Sequence, residues 1–159
     1  MQSNKKTVVG LFVVIIAIMN TVMAINLSWA EFEKGKWPTV LNFRVSIAFL
    51  IVWFLLSIYL GASKDKRYYK FLLVYWGINI TTNILNWIAL KTQGAGILIL
   101  LPFSVWYGAP LYGLGYLLNT NRASFVLISA PSGMLTCILG YGLGILLNKI
   151  LRFKKFTSG

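Results

Sequence analysis

Asn79, Asn83 and Asn86 recur at intervals of four and three residues inside an uncharged stretch, so on a helix their carboxamides share one face. Tyr75 and Thr82 extend that face. Carboxamides and hydroxyls cross-link helices or bind neutral polar groups, but they do not exchange protons near neutral pH. The groups that do are scarce. The chain has no histidine, and its only acids are Glu31, Glu33 and Asp65. Glu31 and Glu33 stand two residues apart, off a common helical face, and Asp65 lies among Lys64, Lys66 and Arg67, where it balances local charge. No Ser/His/Asp, HExxH, P-loop or CxxC pattern occurs. The one cysteine, Cys137, has no thiol to pair with and no imidazole to share a metal, and it reads as a small buried helix residue. The expectation is a protein that is not an enzyme and holds no cofactor or metal.

The elements that carry these residues must suit an apolar solvent. Of 159 residues 58% are hydrophobic and 11% charged, against about 25% charged in a typical soluble domain. With a mean hydropathy of +0.74, a single water-soluble core could not hide so much apolar surface. Stretches free of Asp, Glu, Lys and Arg span 7–30, 45–63, 71–90, 92–121 and 123–148. Each can hold the roughly 20 residues a helix needs to cross hydrocarbon. Their apolar runs are continuous rather than alternating, which excludes barrel strands. The fold class expected is an all-α polytopic transmembrane bundle forming one integral membrane domain over 1–159. Its hydrophobic segments fall at about 7–29, 45–61, 71–90, 97–118 and 125–147. They amount to four or five membrane-embedded helices, one of them able to re-enter.

Segment 1 has the basic start and small-residue end of a cleavable signal, yet its apolar run is long and broken by Asn20 and Thr21. We read it as a retained span. Asn20 stands at a depth similar to the segment 3 amides and is a candidate partner for them. Segment 5 carries a stripe of small residues, Ser129, Gly133, Thr136, Gly140 and Gly144, that suits close helix packing; whether the partner helix is this chain's own is not legible.

Residues 101–119 and 130–148 align with eight identities in 19 positions, including Tyr112-Gly113-Leu114-Gly115 against Tyr141-Gly142-Leu143-Gly144. A true repeat across so short a connector would be an inverted-topology hairpin. Charge counts bear on topology. With five spans and the N-terminus cytoplasmic, seven basic residues lie inside and eight outside, against the positive-inside rule. If segment 4 re-enters, the count becomes ten against five. Pro102, Gly108, Pro110, Gly113 and Gly115 all weaken a continuous helix there.

The net charge of +12 sits in short patches beside hydrophobic ends, as membrane anchoring and anionic-lipid contact require, so nucleic acid is not an expected partner. No Asp, Glu, Lys, Arg or His lies within a segment, which argues against a proton relay. Two functions stay open. One is a plasma-membrane protein of accessory, regulatory or immunity type, working through helix contacts with the bilayer's other proteins or a second copy. The other is a small transporter or channel passing a neutral solute along the Asn79, Asn83 and Asn86 face.

Overall fold

The computed structural model describes residues 2–92, 96–118 and 122–157, and every regular element among them is helical. Asn119 and Ser158, and the side chains at positions 5, 6, 91, 122, 152, 154 and 155, lie outside the described residues. The elements are α1 (Gln2–Glu33), α2 (Val40–Ala62), α3 (Lys66–Thr92), α4 (Gly96–Gly108), a 3-10 segment (Ala109–Leu114), α5 (Gly115–Leu118) and α6 (Arg122–Thr157). Three stretches are long and apolar enough to cross a membrane: Leu11–Glu33, Val40–Ala62 and Ser129–Leu151.

Helix ends are closed by local hydrogen bonds. At the end of α1, Gly35 adopts φ 59°, its N–H donates to the Phe32 carbonyl, and the Lys36 N–H donates to that of Glu31. Thr39 and Asn42 then cap α2 reciprocally. The end of α2 repeats the first closure with Lys64 at φ 52°, a left-handed backbone that glycine usually takes. The Asp65 carboxylate accepts the Arg67 N–H and starts α3. The turn is tight, so α2 and α3 run antiparallel.

The most extensive contact joins α2 to α6. A Cβ at Gly140 would lie 2.7 Å from the Phe54 carbonyl oxygen, and one at Gly144 would run into the backbone of Ile58 and Ala62. The Asn148 amide donates to the Ala62 carbonyl. Positions 140, 144 and 148 thus climb alongside 54, 58 and 62, so α6 runs parallel to α2. Gly61 makes the same approach from α2, directly against the Tyr141 backbone. The Gly140 and Gly144 part of the small-residue stripe therefore receives this chain's own α2.

Between α2 and α3 the space is filled by rings. Trp53 on α2 is fully buried against Tyr75 (5.1 Å between centroids), Trp76 (5.8 Å) and Phe71 (6.5 Å). The Trp76 ring in turn lies over Gly133 of α6, where a Cβ would occupy its place, and its indole N–H donates to the Cys137 sulfur at 3.2 Å. Glycine on α6 thus lets one helix in close and accommodates an indole from the other.

Replacing Gly144 by Leu should lower stability by about 1–3 kcal/mol, because the added side chain meets α2 backbone. Gly142, with nothing within 4 Å of an added Cβ, should accept Ala with no loss and up to about 1 kcal/mol gain. Thermal unfolding in detergent compares the two.

Candidate functional site

The amide face of α3 is interior. Asn79 is 0% exposed, Asn83 5%, and Asn86 and Thr82 8% each. Asn83 donates its amide to the Asn79 carbonyl oxygen at 2.6 Å, and Asn86 donates to the Ser104 hydroxyl of α4, also at 2.6 Å. Thr82 turns back onto its own helix, donating to the Ile78 and Asn79 carbonyls. One turn earlier, the Tyr75 hydroxyl accepts the Trp106 indole N–H at 3.2 Å, and its ring meets Tyr107 edge-on at 5.1 Å. The α3 face is thus covered by α4. Asn20 goes elsewhere: its amide donates to the Phe49 carbonyl of α2 at 3.3 Å, tying α1 to α2 rather than to the α3 amides.

The opposing element is broken, and the break has a specific cause. Chain 109–114 leaves the α geometry after Gly108, where Pro110 lacks an N–H. One side chain reaches two backbone groups of this segment. The Ser46 hydroxyl, fully buried, donates to the Pro110 carbonyl at 2.8 Å and accepts the Gly113 N–H at 2.9 Å. Gly113 lies on the Asn42 carbonyl so closely that a Cβ has no room. Tyr112 packs edge-on against Phe32 at 5.5 Å, and Tyr116 approaches Phe43 at 6.0 Å.

These contacts give the path of the segment. From the end of α3, α4 runs inward past Asn86 to Tyr75. The 3-10 segment then runs outward from Ser46 toward Asn42 and the end of α1. Segment 4 is a hairpin that returns to the side it came from. The two copies of the sequence repeat consequently differ in structure, one a broken hairpin and the other an uninterrupted 36-residue helix. They do not form an inverted pair. The sequence carried a signal for the break in its prolines and glycines; nothing in it pointed to Ser46.

Among the described residues the Ser28 hydroxyl, the Asn42 amide, the Asn79 amide and the Trp53 indole N–H are buried without a hydrogen-bond partner; the last two concern the α3 face. Both lie beside Tyr75, Asn79 one turn along the same helix and Trp53 across the ring contact. Among the described residues no group of three His, Cys, Asp or Glu side chains comes together as metal ligands. What the arrangement offers is neutral hydrogen bonding in an aromatic shell. Comparison of the chain with protein-family models, curated proteins and solved structures finds no match.

Ser46→Ala should cost more than any amide change. It strands a buried N–H and a buried carbonyl together, at about 1–3 kcal/mol for each unpaired group. Asn86→Leu removes one interhelical bond, worth about 0.6 kcal/mol on average and under about 2. Equal losses in urea or thermal unfolding would contradict the clasp.

Proposed function

We propose that this chain is a multi-pass protein of a bacterial cytoplasmic membrane. It crosses four times, through α1, α2, α3 and α6, with segment 4 as a re-entrant hairpin and both termini cytoplasmic. Parallel α2 and α6 support this count, because two spans of the same direction need an odd number of crossings between them, here α3 alone. The charge distribution agrees, with ten basic residues on the cytoplasmic side and five outside. The α3 polar face lowers that helix's hydropathy without barring it from lipid, since its amides point into protein.

The activity we assign is non-enzymatic and rests on helix–helix contact with another membrane protein or a second copy. One observation carries it: three bonds of the α3 polar face are made within the chain, Asn83 to Asn79, Asn86 to Ser104 and Trp106 to Tyr75, which leaves the Asn79 amide as the one donor of these four α3 residues without a partner. They act as internal ties rather than as a lined passage. What the chain presents outward is apolar helix surface, including Leu11, Phe12, Met19 and Met23 of α1, each more than 60% exposed. A neutral-solute path is the second reading, and the unpartnered donors of Asn79 and Trp53 favour it.

Two measurements test these readings. Impermeant thiol reagents should label cysteines introduced at Lys66 and Ser158 only from the cytoplasmic side, and at Lys36 only from outside. Labelling of Ser158 from outside would refute the hairpin topology. In liposomes holding the purified chain, Asn83→Leu should slightly lower the melting temperature and change no solute flux. A flux abolished by that substitution with the melting temperature intact would replace the contact reading by the solute path.

A further inference from the structure

The return of segment 4 has an electrostatic result that the linear sequence leaves open. Because α6 runs parallel to α2, its far end arrives where α2 ends and α3 begins. Two contacts fix the junction: the Asn148 amide on the Ala62 carbonyl, and the Tyr141 hydroxyl on the Asp65 carbonyl at 3.3 Å. Lys149 is the next residue after Asn148, and Lys64 follows Ala62 by two. Lys64, Lys66, Arg67, Lys70 and Lys149 therefore gather at one end of the molecule, all with exposed side chains. Arg67 and Lys70, three apart on α3, share a face.

Little opposes this charge. Of the chain's three acids only Asp65 is at this end, and its carboxylate caps α3 by accepting the Arg67 N–H. Below the cations lies an aromatic layer in which Tyr141 meets Tyr69 at 5.6 Å and Tyr68 at 6.2 Å. Tyr69 is 41% exposed and Tyr59 56%. Tyrosines at a helix end beside lysines mark the level of the lipid headgroups. Helix α6 continues beyond its apolar stretch to Thr157, through sequence positions Arg152, Lys154 and Lys155. Cations fixed at that level by two different helices suit a phosphate held in the plane of the bilayer. A free protein or nucleic acid would have to approach through the headgroups.

We infer that the α2–α3 turn and the end of α6 together form one binding site for the phosphate headgroup of an anionic phospholipid in the cytoplasmic leaflet. This rests on the membrane-spanning reading above, and it goes further in making a single site from patches 80 residues apart in sequence. The orientation of the chain is read by thiol labelling; the lipid site is read on detergent-purified protein, so either can fail alone.

The experiment is native mass spectrometry and thermal unfolding of the full chain in a neutral detergent, with added phosphatidylglycerol or phosphatidylcholine. Phosphatidylglycerol should bind as a first adduct and raise the melting temperature, while phosphatidylcholine does neither. Lys64→Gln and Lys149→Gln should each weaken that same adduct about fivefold. The pair Lys34→Gln and Lys36→Gln, at the opposite end, should leave it unchanged. If Lys64→Gln disturbs the turn, seen as a lower melting temperature without lipid, Arg67→Gln takes its place. Three results would overturn the site. One is an effect from only one of the two elements; another is equal weakening by the Lys34 and Lys36 pair, which would mark a response to net charge. The third is an equal temperature rise with inorganic phosphate alone, which would assign the cations to a free anion.

Discussion

A hydroxyl on the second helix determines how the rest of the chain can be arranged. A segment that stops being α-helical in an apolar setting frees backbone donors and acceptors that have no water to turn to. Ser46 takes the carbonyl of Pro110 and the N–H of Gly113 at once, and by doing so makes the break tolerable. Once the break is tolerated, segment 4 turns back instead of continuing. The direction of α6 follows from that, and with it the parallel α2–α6 contact and the place where the final basic residues arrive.

The parallel contact has its own requirement, which is short side chains. Lipid offers no hydrophobic gain for bringing two apolar helices together, so association depends on close backbone approach and dispersion. Gly61, Gly140 and Gly144 supply that approach from both helices. On the α3 side of α6 the opposite solution is used: a large indole, Trp76, lies over Gly133 and reaches the Cys137 sulfur. Aromatic rings around Trp53 then fill the wider gap between α2 and α3. The polar ties between helices include Asn20 to Phe49, Asn86 to Ser104, Trp106 to Tyr75, Ser57 to Tyr68 and Asn148 to Ala62, all between neutral groups. Each is modest in energy, and their value lies in fixing rotation and register.

Much of this was legible from residue types. Continuous uncharged runs dictate helices in lipid whatever the tertiary arrangement, because the backbone must pair with itself. Helices α1, α3 and α6 run past their uncharged stretches at both ends, since Lys, Arg and Glu at a helix terminus are compatible with helical backbone and end only the apolar stretch. The i, i+4, i+7 spacing placed Asn79, Asn83 and Asn86 on one face, but not the neighbour that face meets. Asn20 illustrates the limit: equal depth made the α3 amides its candidate partners, whereas the Phe49 carbonyl, invisible in any side-chain pattern, is the acceptor.

The sharpest division between sequence and tertiary structure lies in a tetrapeptide that occurs twice. Tyr-Gly-Leu-Gly at 141–144 is α-helical, while at 112–115 its first three residues are 3-10. Pro102 and Pro131 precede both copies alike, but Pro110 has Leu139 at the matching position, so local preference already weakens the α-helix at the first copy. The surroundings act in the same direction. At 112–115 the Ser46 hydroxyl and the Asn42 carbonyl compete for the backbone and the glycine gap. At 141–144 Gly144 lies on α2 backbone while Gly142 meets nothing within 4 Å, and the segment stays α-helical. Helical class, the apolar character of the long helices and the scarcity of acidic and histidine side chains were determined by the sequence alone, because they depend on residue chemistry summed over each segment. The direction of α6 and the joining of the basic patches were decided only in three dimensions, because they turn on hydrogen bonds and close contacts between residues more than sixty positions apart.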